Sequence, residues 1–385
     1  MIGDAEHALY GSANAAEERR HVSSGLIPGF VRVLTVVGNR PQFIKAAAVS
    51  HRLRVIAEEV LVHTGQHYDE DLSQVFFDEL GIPAPEHQLG LGGGSNTTQT
   101  ARMLEALEAL LARERPDLVL VYGDTNSTLA GALAAAQAGI GVAHVEAGMR
   151  SFDRTMPEEL NRVLTDHAAS LLLCSSDGAA ENLRAERVVG RVEVVGDVMV
   201  DVALLLGPRA AARTEVLEAH GVEPGRFLLV TAHRAGNVDD PARLERLVAL
   251  LEALPDPVVF PLHPRTAARL EATGLRARLD AAEHVRLVPP LAYLEFTALL
   301  RHARAVLTDS GGVQKEAYLA GVPCVTMRST TEWTETIDAG WNVLVDLDAE
   351  AALAALQRQP PAERPQLYGD GRAGERVVAA LRMGA

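Results

Sequence analysis

Residues 31–45 read VRVLTVVGNRPQFIK: an apolar run rich in β-branched residues from Val31, a glycine turn at Gly38, a proline at Pro41 where a first helical turn tolerates it, and a helix beyond. Working outward, the same order of strand, glycine and helix recurs along the chain. Short apolar runs predict strands at Val31–Gly38, Val60–Gly65, Leu118–Gly123, Val142–Glu146, Leu171–Cys174 and Val192–Gly196. A second series follows at Phe227–Thr231, Val258–Leu262, Val285–Val288, Ala305–Thr308, Val322–Met327 and Asn342–Val345. Ala/Leu-rich segments of helical period separate them, which is the pattern of βαβ units and parallel sheets. The expected fold class is α/β: two doubly wound parallel-sheet, Rossmann-like domains, dividing within Leu204–Glu223 and facing a central cleft.

A chain of 385 residues, 48% hydrophobic and 23% charged, has the length and balance of about two globular domains. Its 36 Lys+Arg against 51 Asp+Glu leave a net charge of −15, which repels nucleic-acid backbones and anionic membranes. Neither is an expected partner, and a phosphate-bearing ligand must be caught by a local basic pocket. The two cysteines, Cys174 and Cys324, sit in separate apolar runs, so a disulfide framework and a cysteine metal site are both disfavoured and a reducing cytoplasm is expected. Residues 1–29 lack an apolar core of signal-peptide length and read as a flexible extension. Nearly every basic residue is arginine; lysine occurs only at Lys45 and Lys315, so a compact ammonium is singled out at those two places.

In open parallel sheets ligands bind beyond the carboxyl ends of the strands, and the chain places its chemistry there. Asp309-Ser310-Gly311-Gly312-Val313-Gln314-Lys315-Glu316 joins a strand to a helix through two glycines, a geometry in which free N–H groups and the helix dipole hold an anion such as a pyrophosphate. An ordinary tight turn is the plainer alternative. Gly38-Asn39-Arg40 leads to a second such helix start, with Arg40 and Lys45 as cations at its mouth. Three acids lie at strand ends or just after them: Asp124, Glu146, and Glu158 in Met156-Pro157-Glu158-Glu159. Carboxylates at a cleft mouth serve as general acid and base when burial and neighbours tune them, although Glu158 or Glu159 could equally favour the first turn of a helix. His233, after Leu228–Ala232, should emerge on the cleft side to contact phosphate or assist proton transfer; His263 reads more readily as part of the domain wall. No spacing implies a metal, and no cofactor is expected.

Taken together and in order, GNRPQFIK, VYGDTNSTLA, HVEAGMRS, MPEELNR, TAHR, LTDSGGVQKEA and RSTTEWTE resemble the non-hydrolysing UDP-N-acetylglucosamine 2-epimerases, over about Val31 to Gly371. The resemblance implies a glycosyltransferase-B fold: an N-terminal domain over 30–205 with a C-terminal helix (372–385) returning to it, and a UDP-binding domain over 206–371. It implies interconversion of UDP-N-acetylglucosamine and UDP-N-acetylmannosamine through loss of UDP, a 2-acetamidoglucal intermediate and re-addition, with homodimerisation as the usual form. Carried over, Asp124, Glu146, Glu158 and His233 would be catalytic. Arg40, Lys45, Phe296, Ser310, Gly311, Gly312, Glu316 and Arg328 would hold the UDP-sugar. The chain departs from the family pattern at Gly236, where an acidic residue is usual, and at Leu291, where glutamine is common. Gln66-His67-Tyr68-Asp69 keeps only part of a pattern with which some members bind a second, activating substrate molecule. A hydrolysing relative that releases UDP and N-acetylmannosamine, a sugar-nucleotide glycosyltransferase and a silent sugar-nucleotide-binding protein stay open as alternatives.

Overall fold

The structure, a computed structural model, describes residues 31–66 and 74–382; the extension expected over 1–29 and the segment His67–Asp69 lie outside the described residues. The first half of the chain forms strands β1 (Val31–Val37), β2 (Ala57–His63), β3 (His87–Gln88), β4 (Leu118–Tyr122), β5 (Gly141–Ala147), β6 (Leu171–Cys174) and β7 (Arg191–Val194). The second half forms β8 (Leu228–Thr231), β9 (Val258–Pro261), β10 (Val285–Val288), β11 (Ala305–Thr308), β12 (Cys324–Thr326) and β13 (Asn342–Leu344). These make two all-parallel sheets, ordered β3-β2-β1-β4-β5-β6-β7 and β10-β9-β8-β11-β12-β13, so the two doubly wound domains read from the sequence are present. Both sheets reverse their winding at a central pair, β1/β4 in one and β8/β11 in the other, and such switch points open a crevice at the strands' carboxyl ends.

Strands covered by helices on both faces need apolar side chains on both. In β1, Leu34 and Val36 face one cluster with Val60, Val62, Met103, Leu107 and Val121, whereas Val33 and Val37 face another with Phe43, Leu61, Leu120 and Tyr122. The register sets Val36 beside Val62 and Val121. Two elements escape the hydrophobic pattern. Strand β2 starts at Ala57, three residues before the expected Val60, and carries Glu59 into the interior. That carboxylate is tolerated because Thr35 Oγ1 (2.7 Å), Arg54 Nε (2.9 Å) and Ser50 Oγ all donate to it. The two-residue edge strand β3 holds only polar side chains and has no periodicity to read.

The helix Val198–Ala211 runs unbroken through positions 205–206 and joins the halves: it packs on the helix Arg40–Leu53 on one side and on the helices Tyr293–His302 and Gly311–Ala320 on the other. The C-terminal helix Ala373–Arg382 docks on Arg40–Leu53, and Val377, Val378 and Leu381 enter the same core as Phe43. Its first N–H groups, of Ala373 and Gly374, donate to the buried carboxylate of Asp201 at 3.0 Å each. The approach is tight, since a Cβ on Gly374 would lie 2.2 Å from the Ala48 carbonyl oxygen. Gly374→Ala should therefore destabilise the fold by about 1–3 kcal/mol through overpacking, read as a lower denaturant midpoint at unchanged slope.

Candidate active site

Between the carboxyl ends of the two sheets lies a cavity of about 590 Å³. The first sheet's side contributes Arg40, Lys45, Asp124, Glu146 and Glu158; the second contributes His233, Phe296, Ser310, Gly311, Gly312 and Glu316. Arg328 is the one expected contact that does not line it. Its guanidinium donates to Glu332 at 2.9 Å, and Glu332, which does line the cavity, also faces Arg234 at 3.6 Å. Arg328 thus acts on the cavity through a neighbouring carboxylate.

Glu146 is the most constrained of these residues. It sits where β5 bulges against β6, with a left-handed backbone (φ 69°) that non-glycine residues adopt only when their surroundings enforce it. Its buried carboxylate accepts from both lysines of the chain, Lys45 at Oε2 and Lys315 at Oε1 (3.4 Å). Gly123 makes room for this pairing: a Cβ there would stand 3.3 Å from Glu146 Oε2 and 3.5 Å from Lys45 Nζ. Burial alone would push the Glu146 carboxyl up, but the two ammonium groups outweigh it and hold it down at about 2. Lys315, raised despite its burial by Asp197 and Glu146, stays charged.

The helix Pro157–Ala168 supports the other two acids. Arg162 pairs with the Asp124 carboxylate, and Asn161 Nδ2 donates to the Asp124 carbonyl at 3.0 Å. Glu159 is buried and accepts from the Ser151 and Phe152 amides at 2.9 and 3.0 Å, so it fixes the loop before the helix. Glu158 is exposed at the cavity rim. Of the two acids that follow the proline, one is thus spent on structure and the other faces the cavity. Behind them His144, fully buried, bridges Asp166 Oδ1 and the Gly123 carbonyl at 2.7 Å each and so ties the Gly123-Asp124 turn to the same helix.

Across the cavity, Asp309 at the end of β11 accepts from the amides of His233 (3.1 Å) and Arg234 (3.0 Å) and from Asn237, setting the loop after β8. The His233 ring stacks on His263 with centroids 5.4 Å apart. Burial lowers its pKa against the pull of Asp309, which favours the neutral imidazole. The helix Gly311–Ala320 begins at Ser310, whose side chain makes no capping bond, so its first N–H groups face the cavity as an anion site. Glu316, on that helix, is half-buried at the cavity wall, and desolvation lifts its carboxyl to about 7 against the pull of Lys315 and Lys45.

Arg162, Lys315 and Asp197 belong to this site and were not among the residues the sequence picked out for it. Arg162 had a readable signal, four positions after Glu158 and so on one helical face with it. Lys315 was visible as one of two lysines, but without a partner. Asp197 caps the helix Val198–Ala211 and carried no signal of its own. What the geometry assembles is an ionised carboxylate, further acids and a neutral histidine beside an anion-binding helix start, a set suited to moving protons on a substrate whose leaving group is a phosphate.

Comparison with known proteins agrees. The family model described as UDP-N-acetylglucosamine 2-epimerase matches residues 51–382. A UDP-N-acetylglucosamine 2-epimerase homolog from Methanococcus maripaludis is 45% identical over 356 residues, covering 91% of this chain and 99% of the relative. The UDP-2,3-diacetamido-2,3-dideoxy-D-glucuronate 2-epimerase of Pseudomonas aeruginosa is 45% identical over 363 residues, covering 91% and 99%. A Methanocaldococcus jannaschii UDP-GlcNAc 2-epimerase, solved in complex with UDP-GlcNAc and UDP, superposes with a TM-score of 0.83 at 39% identity, covering 92% of this chain and 99% of that one. With its motifs, both sheets and the family match in agreement, this chain belongs to the UDP-N-acetylglucosamine 2-epimerase family.

Proposed function

We propose that the cavity catalyses reversible inversion at C2 of UDP-N-acetylglucosamine, giving UDP-N-acetylmannosamine by elimination and re-addition of UDP. The observation that carries this reading is the single cavity that sets Asp124, Glu146 and Glu158 of one domain opposite the open helix start at Ser310–Gly312 of the other. A C2 proton beside an amide nitrogen is a poor acid. It becomes removable once the C1–O bond stretches and the ring gains oxocarbenium character, so departure of UDP must lead. The uncapped N–H groups at Gly311 and Gly312, with Arg40, stabilise the charge that develops on the pyrophosphate. Inversion then requires proton-handling groups on both faces of C2, which Glu146 with Asp124, Glu158 and neutral His233 can supply. Phe296 and Glu316 are assigned to the nucleoside end, and Lys45 holds Glu146 at the phosphate side.

The Pseudomonas relative matches at the same identity, so a 2-acetamido sugar that also bears a C3 acetamido group and a C6 carboxylate is the second substrate to test. Self-association as a homodimer is supported by an exposed apolar stripe on and beside the helix Pro157–Ala168: Phe152, Leu160 and Leu164. The outer face of the helix that presents Glu158 would then be braced by a second copy. Two buried free thiols, Cys174 and Cys324, support a reducing cytoplasm, and among the described residues no helix is long and apolar enough to cross a membrane.

In heavy water, proton NMR of the protein with UDP-N-acetylglucosamine should show UDP-N-acetylmannosamine carrying deuterium at C2. Full turnover without deuterium would contradict the mechanism, and free N-acetylmannosamine with UDP would move the protein to the hydrolysing activity. Asp124→Asn, Glu146→Gln and Glu158→Gln should each lower turnover by about 10²–10⁴-fold while UDP still binds; a variant that keeps wild-type turnover removes its residue from the mechanism.

Glu316 yields a pH prediction in the unliganded protein. Its folded pKa, about 7, lies above the ordinary carboxylate value of 4.5, so it weighs increasingly against the folded state as pH rises from one to the other. Glu316→Gln should match wild-type stability to within a few tenths of a kcal/mol at about pH 4 and exceed it by up to about 3 kcal/mol at about pH 8, measured by denaturant unfolding. An unchanged difference between the two pH values would contradict the assignment.

A further inference from the structure

Lys315 crosses from one domain to the other. It stands on the helix Gly311–Ala320 of the second domain, yet its ammonium lies 2.5 Å from Asp197 Oδ2 and 3.4 Å from Glu146 Oε1, the first just after β7 and the second near the carboxyl end of β5 in the first sheet. The rings of Trp333 and Tyr368 wall it in, with centroids 4.5 and 5.9 Å away, and the side chain is only 4% exposed. Its ammonium therefore acts on two protein carboxylates. Lys45, by contrast, reaches Glu146 from the first domain, so that pairing does not depend on where the second domain lies.

We propose that Lys315 is a positioning residue for the C2 proton transfer: by bridging Asp197 and Glu146 across the domain boundary, it keeps the Glu146 carboxylate paired and aimed when the two domains close over it. The inference rests on the reading of Glu146 as a proton-handling carboxylate. With the domains apart, Glu146 keeps Lys45 but shares its surroundings with an unbalanced Asp197. With the domains together, two ammonium groups face two carboxylates and the buried cluster is neutral. Reaction chemistry is thereby tied to a cleft that excludes water, which protects a glucal intermediate from hydrolysis. The charged and titratable groups around Glu146 are Lys45 from the helix Arg40–Leu53, Lys315 and Glu316 from Gly311–Ala320, Asp197 at the start of Val198–Ala211, Tyr368 from the returning C-terminal segment, and the Asp124–Arg162 pair at the cavity wall.

The test is the pH dependence of kcat, followed as C2 exchange from about pH 4 to about pH 9, for wild type, Lys315→Met, Lys315→Arg and Asp197→Asn. Wild type, with Glu146 held down at about 2, should show no acidic limb in this range; removing an opposite charge at this distance should raise the midpoint in Lys315→Met by at least about two units and so bring an acidic limb into view, with UDP affinity kept within about threefold, while Lys315→Arg stays close to wild type. Asp197→Asn should hold or lower that midpoint. A Lys315→Met profile that coincides with wild type, or activity lost equally at every pH while UDP binds, would overturn the proposal. Should Lys315→Met not fold, Asp197→Asn carries the test, because a rise of its acidic midpoint contradicts the stated balance of charge. Glu146→Gln separates the two levels: retained exchange in that variant sinks the role of Glu146 itself, whereas an inactive Glu146→Gln beside an unshifted Lys315→Met sinks only that of Lys315.

Discussion

A carboxylate with almost no exposure, held ionised between two ammonium groups from different domains, is the constraint on which the rest of this site depends. Removing one carboxylate from water costs several kcal/mol unless it is paired and hydrogen-bonded, and an unbalanced cluster would not survive burial. Glu146, Asp197, Lys45 and Lys315 balance one another. Much of the local architecture follows from that requirement. Glycine stands at 123 because a side chain would enter the ion pair, and β5 bulges into a left-handed turn at Glu146 to bring the carboxylate to the cavity. The second domain's helix must also lie close enough for Lys315 to reach both acids.

Around that cluster, environments push neighbouring groups into opposite states. Glu146 is ionised because lysines outweigh its burial, while Glu316, on the same helix as Lys315, sits near neutrality because burial outweighs the same lysines. Partial desolvation lowers the His233 pKa and so favours its neutral form, while Asp309 fixes its backbone. Such divergence among adjacent titratable groups is what proton transfer needs, and under the proposed function it falls to Asp124, Glu146 and Glu158 of the first domain and His233 of the second.

The fold was legible where burial on both faces forces continuous apolar runs, as in Val31–Val37 and Leu118–Tyr122. It was illegible where a polar residue enters the sheet with its own donors, as Glu59 does, or where an edge pairing is as short as His87–Gln88. In the site, residues at strand ends announced themselves by their position in a βα turn, and the structure gathers them except Arg328, which Glu332 intercepts. Lys315 shows what a linear reading misses. It was conspicuous as a rare residue type, but its partners lie 118 and 169 positions away in the other domain, and only the packing of the two sheets brings them together.

Because lysine occurs at only two positions, the central claim is open to a direct measurement: nitrogen NMR of protein labelled with ¹⁵N at the lysine side chains, before and after Glu146→Gln. Two resolved, slowly exchanging ammonium signals that both shift on the substitution are the predicted result. Signals at the position of solvent-exposed lysine, indifferent to residue 146, would contradict the account.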